Sequence, residues 1–285
     1  MTKMVCVFPD TNNIGDYIQT LPIYEICNGC DFVDREKLSS IEGQNRRLIL
    51  NGWYCHEPRK VFPIHPDFDT HVLGFHLASS AHSVFTEKQL PNWREQDKQI
   101  GCRDNSTYKF MQDNGIQNTY VSYCPSILNV GTGARNPDRK VAVDFPVYLL
   151  PNGHEYHIES SIIPNYMTVK QKISLARDFL NFLYQKAELV VTSRIHVALP
   201  CVAMGVPVIF YGDKKNERLS LLKDLGIIIN DFPTFFPLSK NHRTASQMVK
   251  YFLNRNNPKV TIRSKTFDDN AELLKLRITQ ICECA

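Results

Sequence analysis

Leu189-Val-Val-Thr-Ser-Arg-Ile-His-Val-Ala-Leu-Pro-Cys-Val-Ala-Met-Gly-Val-Pro-Val-Ile-Phe210 decides the fold. Leu189 to Thr192 is a short apolar run of the kind found in strands buried on both faces. A helix follows, and Gly205-Val-Pro207 leads into a second apolar strand over Val206 to Phe210. Two buried strands joined through a helix make a parallel βαβ unit, because a parallel pair needs a crossover connection. A polar turn, Ser193-Arg-Ile-His196, interrupts the most apolar region of the chain where the first strand becomes the helix.

The same alternation extends in both directions. Upstream, Lys140 to Phe145 reads as a strand. Thr168-Val-Lys-Gln171 matches a capping box, which opens a helix. Val169, Ile173, Ala176, Leu180, Leu183 and Ala187 form its apolar stripe, a core-packing face. Nearer the start, strands are predicted at Met4 to Phe8, Arg47 to Asn51, His71 to Phe75, Gln99 to Cys102 and Thr119 to Tyr123. A helix over Gly15 to Cys27 is expected to kink at Pro22. Another runs from Ser106 to Asn114 and stops at Gly115. Thr244 to Arg255 and Thr266 to Ile281 read as closing helices. The pattern is α/β with mainly parallel sheets. Leu128 to Asp138, punctuated by Gly, Asn and Pro, reads as a linker. It divides the chain into a first domain, 1–130, and a second, 139–285, whose last helix crosses back to the first.

Composition bounds the function. The 285 residues suit two domains at roughly 100–200 residues each. Hydrophobic residues make up 43%, enough for two cores, which excludes a disordered or disulfide-stapled mini-fold. The net charge of +4 is unclustered, so a nucleic-acid partner is not expected, while anionic substrates fit. No stretch approaches about 18 apolar residues, so no transmembrane span is predicted. The start lacks a signal-peptide pattern, which predicts a cytoplasmic protein whose nine cysteines are free thiols. Cys27 and Cys30 have C-x-x-C spacing, and with Cys282 and Cys284 they offer a possible four-thiolate zinc set. Incidental thiols at a helix end are the simpler alternative, and no metal is expected.

Chemistry is sought where strands end and helices begin, since ligands of open α/β sheets bind there. Thr11-Asn-Asn-Ile-Gly-Asp16 is one such place: Asn13 offers an amide, Gly15 allows close backbone approach, and Asp16 lies in the helix's first turn. Gly101-Cys-Arg-Asp104 is the second, with Arg103 suited to grip a carboxylate or phosphate. Ser193, Arg194 and His196 form the third; an arginine in so apolar a region needs an acid or an anionic ligand, and His196 suits proton transfer. Lys214 or Lys215 stands after the last strand, where an ammonium holds phosphate. Each has a plainer reading: a capped loop, an Arg103–Asp104 ion pair, a core histidine bonded to a carbonyl, a solvated charge run. Trp53, Tyr54 and Trp93 are aromatics able to stack on a sugar or simply to pack.

Asn13-Ile-Gly-Asp16, then Arg103-Asp104 with Ser106, then Ser193-Arg-Ile-His196 through Gly205-Val-Pro-Val-Ile209, then Tyr211-Gly-Asp-Lys214 resemble, in order and spacing, the motifs of the polysaccharide pyruvyl transferase family. Ser193 stands where that family usually has an acid. The resemblance implies two Rossmann-like domains facing a cleft, as in GT-B transferases, with the acceptor on the first domain and the donor on the second. It implies transfer of a pyruvyl group from phosphoenolpyruvate to a sugar or glycan hydroxyl pair, giving a ketal, with no cofactor. His196 is then the acid or base, Arg194 and Asp16 join it in catalysis, and Arg103, Ser193, Lys214, Asn13 and Gly15 bind the donor. The alternative is a metal-independent glycosyltransferase holding a nucleotide sugar's diphosphate with Arg194 and Lys214, its base being Asp16 or His196. A further alternative is a non-catalytic glycan-binding protein on the same scaffold.

Overall fold

A computed structural model of the chain describes residues 3–41, 46–95, 97–151, 155–231 and 258–283. The first half carries β1 (Met4–Val7), α1 (Ile14–Ile18), α2 (Leu21–Ile26), β2 (Asp31–Val33), β3 (Arg47–Tyr54), α3 (Pro58–Val61), β4 (Asp69–Leu77), α4 (His82–Lys88), α5 (Leu90–Arg94), β5 (Ile100–Cys102), α6 (Asn105–Asp113) and β6 (Thr119–Val121). The second carries β7 (Arg139–Val143), β8 (Tyr156–Glu159), α7 (Val169–Lys186), β9 (Ala187–Thr192), α8 (Ile195–Ala203), β10 (Val208–Gly212), α9 (Ser220–Asp224), β11 (Ile229–Asp231) and α10 (Lys265–Glu283). The helix expected at Thr244 to Arg255 lies outside the described residues.

Each half is built on one sheet. The first has order β2-β1-β3-β4-β5-β6 and the second β11-β10-β9-β7-β8. Every neighbouring pair in both is parallel. The chain is thus an α/β protein with two parallel sheets. All strands of a sheet point the same way, so their carboxyl ends line one edge, and the loops there collect side chains from distant parts of the sequence.

The segment between β6 and β7 has no strand or helix after the short turn at Pro125–Leu128. It lies along α7, where Arg135 donates to the carbonyls of Tyr184 and Ala187. One apolar cluster runs without a break from Phe8, Ile14 and Tyr17 to Val141, Ile173 and Leu199, and on to Phe267 and Ile278 of the last helix. A second, aromatic-rich cluster with Tyr54, Phe62, Phe75, Phe85 and Trp93 sits within the first half. Trp93 is therefore packing. Helix α10 lies against the first half, where Arg47 donates to the carbonyl of Ile281 and Arg277 covers the ring of Tyr120.

Two expectations need correction. The helix expected from Gly15 to Cys27 is two helices, and Pro22 opens the second instead of kinking a single one. Proline fits the first turn because the amide it lacks has no helical partner there. The break falls at Gln19 and Thr20, and the Thr20 hydroxyl donates to the carbonyl of Val7. The cysteines are not all free: Cys6 is bonded to Cys30 and Cys27 to Cys282. The C-x-x-C pair is thus divided between two bridges, and Cys284 lies outside the described residues. Among the described residues no group of three or more His, Cys, Asp or Glu is arranged to hold a metal ion.

Candidate functional site

The loop after β1 is fixed from both sides. Asn13 caps α1, its side-chain oxygen accepting from the Gly15 amide at 3.1 Å. The Ile14 amide donates to Ser161 and the Ile163 amide to Asn12, so a strand-like bridge from the second half clamps the loop. Buried Lys172 of α7 donates to Asp10 at 2.7 Å and to the Thr11 carbonyl at 3.0 Å. Gly15 faces His196 directly: a Cβ there would lie 3.1 Å from the Cβ of His196. This close approach is what a side chain at position 15 would obstruct. Asp16, almost fully buried, accepts from Thr11 at 2.9 Å and from Gln19 at 3.2 Å.

Arg103 follows β5 and is completely buried. None of its three guanidinium nitrogens has a hydrogen-bond partner among the described residues. Its nearest acid, Asp104, lies 3.7 Å away and is occupied elsewhere. Asp104 caps α6 through the Thr107 amide at 3.0 Å, takes the Ser106 hydroxyl at 2.7 Å, and bonds His76 from the end of β4. Burial alone would raise the Asp104 carboxyl, yet the His76 bond and Arg103 hold it below the usual carboxylate range. The Arg103–Asp104 ion pair is therefore present at 3.7 Å, but it leaves the donors of Arg103 without a hydrogen bond.

His196, in the first turn of α8, completes the centre from the second half. Burial pushes its imidazole well below the ordinary range, and the charges of Arg103 and Arg218 push it the same way. It is a neutral imidazole beside two cations. Its Nδ1 lies 3.7 Å from the Cys124 sulfur, which also accepts the Ser126 hydroxyl at 3.1 Å. Arg218, from the loop after β10, lies over the ring of Trp53 at 4.2 Å, its Nε buried and unpartnered among the described residues. Burial and then Arg103 pull Arg218 below the usual guanidinium range. Two arginines thus lie near each other, Arg103 fully buried and Arg218 half-buried, with Asp104 as a partial counter-charge and buried donors left without hydrogen bonds among the described residues, an arrangement that an anion would stabilise.

Asn13, Gly15, Asp16, Arg103 and His196 are brought together; two of the expected cations are not. Arg194 is half exposed, and its Nε donates to Asp144 at 3.0 Å. Lys214 pairs with Asp231 at 2.8 Å on the surface. Ser193 is half-buried in the turn between β9 and α8. Arg218, His76 and Cys124 are members the sequence reading passed over. His76 and Cys124 each stand at or just beyond the carboxyl end of a strand, the signal that singled out Arg103. Arg218 stands in a charged loop with Lys214 and Lys215, where spacing alone does not mark which cation turns inward.

Among curated proteins none matches the chain significantly. A solved structure of a functionally uncharacterised protein from Klebsiella pneumoniae subsp. pneumoniae NTUH-K2044 is similar, with 15% identity, a TM-score of 0.49, and coverage of 78% of this chain and 87% of that one. The polysaccharide pyruvyl transferase family matches residues 13–214, from the Asn13 cap to Lys214. That span contains Arg103, His196 and the loop packed against them, and it covers well over half of the sequence: the chain belongs to the polysaccharide pyruvyl transferase family, whose members are glycan-modifying transferases.

Proposed function

We propose that the chain moves a pyruvyl group from phosphoenolpyruvate to two hydroxyls of a sugar, the two sheets acting as Rossmann-like units of a GT-B-like pair that meet at His196. The observation that carries this reading is Arg103: a buried guanidinium with every donor unpartnered among the described residues, near a second, half-buried arginine and a neutral imidazole. Phosphoenolpyruvate presents a carboxylate and a phosphate close together, which two guanidiniums would hold through charge-assisted, forked hydrogen bonds.

The first sugar hydroxyl adds to C2 of the donor, its proton is taken up by Asp16, and a proton reaches C3 through His196. A second hydroxyl then attacks C2, and the C2–O bond to phosphate breaks. Phosphate leaves with the bonding electrons and takes up the second hydroxyl's proton, and the ketal remains. Arg103 and Arg218 stabilise the charge that gathers on the departing phosphate. The donor's own negative charge raises the affinity of His196 for a proton, so the imidazole is loaded as the donor binds. The nucleotide-sugar alternative needs Arg194 and Lys214 on one diphosphate, and each is paired with its own aspartate.

Phosphate release and formation of a pyruvate ketal, followed by mass spectrometry with phosphoenolpyruvate and a panel of sugars, test the proposal. Wild-type protein is expected to release phosphate with at least one acceptor, and Arg103→Met and His196→Gln to release none above background. Consumption of a nucleotide sugar alone would overturn it.

A further inference from the structure

A second group of buried polar atoms surrounds the carboxyl end of β3. Gln19 and Asn51 are each 1% exposed. Oε1 of Gln19, Oδ1 of Asn51 and the indole Nε1 of Trp53 are buried and have no hydrogen-bond partner among the described residues. The partners of the two amide nitrogens fix how the amides are turned. The Thr20 hydroxyl gives its proton to the Val7 carbonyl, so it accepts from Asn51 Nδ2 at 2.9 Å. The Asp16 carboxylate accepts from Gln19 Nε2 at 3.2 Å. Each amide is left with its carbonyl oxygen unused. Gly52, between Asn51 and Trp53, has φ 109°, and a Cβ there would lie 3.3 Å from Gln19 Nε2, so the group is contiguous.

Two acceptors and one donor define what fits. A second anion is excluded by two carbonyl oxygens and the Asp16 carboxylate. An apolar group would leave all three atoms unsatisfied, the costly outcome for buried polar atoms. A polyol suits them: hydroxyls donate to the two amide oxygens, and a ring or hydroxyl oxygen accepts from the indole. Arg218 covers one face of Trp53, which leaves the N–H edge for this contact. The group adjoins the anion centre through Arg218 on one side and Asp16 on the other.

We propose that Gln19, Asn51 and Trp53 form the acceptor subsite, which takes one neutral pyranose ring and turns a hydroxyl toward Asp16. The assignment of this sugar as an acceptor rests on the transferase reading above; the sugar binding itself does not. Arg218 comes from the second half, so both halves border the subsite.

The test is calorimetric titration of the full chain with the methyl pyranosides of glucose, galactose, mannose and N-acetylglucosamine, without donor. At least one is expected to bind saturably. Trp53→Phe keeps the ring and removes the N–H, and Gln19→Ala removes one acceptor. Each is expected to weaken that sugar about three- to tenfold, the loss of one hydrogen bond, with phosphoenolpyruvate affinity within twofold of wild type. No saturable binding by any pyranoside, or sugar affinity within twofold of wild type in both variants, overturns the subsite. Sugar binding that depends on Trp53 in a protein that never consumes phosphoenolpyruvate supports the subsite and removes the donor reading. Ketal formation with an unchanged acceptor KM in both variants removes the subsite and leaves the donor reading intact.

Discussion

A guanidinium stripped of water and left without hydrogen bonds weakens the fold that holds it, and Arg103 is in that position, offset only by the Asp104 charge at 3.7 Å. Arg103→Met fills a similar volume without the charge, and Asp104 keeps its bonds to His76, Ser106 and Thr107, so thermal unfolding should show a variant at least as stable as wild type. A variant less stable than wild type would mean that Arg103 is a structural residue. His196 makes a pH prediction. Burial holds its imidazole well below the ordinary histidine range near 6.5, so it stays neutral in the folded chain while the unfolded chain takes up a proton. Its contribution to stability is full above pH 6.5 and is lost as pH falls from there toward the folded value. Replacing it with glutamine should flatten the fall in urea midpoint between about pH 6.5 and 5. Arg103 and His196 were legible because each follows an apolar strand. The absence of a partner for Arg103 was not, since it depends on Asp104 being engaged by His76, Ser106 and Thr107.

Elements were legible where local chemistry sets them. The Thr168–Gln171 capping box starts α7, and the apolar stripe behind it is buried. The inner strands of both sheets were visible as short apolar runs, while β2, β8 and β11, short and partly polar strands at the sheet edges, were not. What local chemistry does not set was missed: Gln19 and Thr20 break the first helix because their side chains bond Asp16 and the Val7 carbonyl. The cysteine pairing is likewise non-local, since Cys27 at the end of α2 meets Cys282 in α10, 255 residues away. This bridge ties the last helix to the first half. Cys27→Ser should lower stability by about 2–4 kcal/mol under non-reducing conditions, read from the urea midpoint. A reductant should lower the wild-type midpoint at least as far; a midpoint that neither change moves would show that the bridge contributes nothing.

The two halves share a core at the scale of the whole molecule. The cluster from Phe8 to Ile278 crosses between them, and Lys172 reaches from the second half to Asp10 and Thr11 of the first. Lys172→Met leaves the Thr11 carbonyl and Asp10 without this donor, so a loss of about 1–3 kcal/mol is expected, with unfolding still a single transition by fluorescence and circular dichroism. Two separate transitions would mean that the halves fold independently. The alternation of strands and helices made the parallel sheets readable. It did not show that Arg103 and Arg218 converge while Arg194 and Lys214 turn to Asp144 and Asp231. Convergence is a property of the edge where loops from both sheets meet, and spacing along the chain does not encode it. Calorimetric titration of phosphoenolpyruvate into wild type and Arg103→Met tests the account most directly. Saturable binding by wild type, weakened at least about a hundredfold in the variant by loss of its charged hydrogen bonds, is the predicted result. Equal affinity in the two proteins, or no binding by wild type, would contradict it.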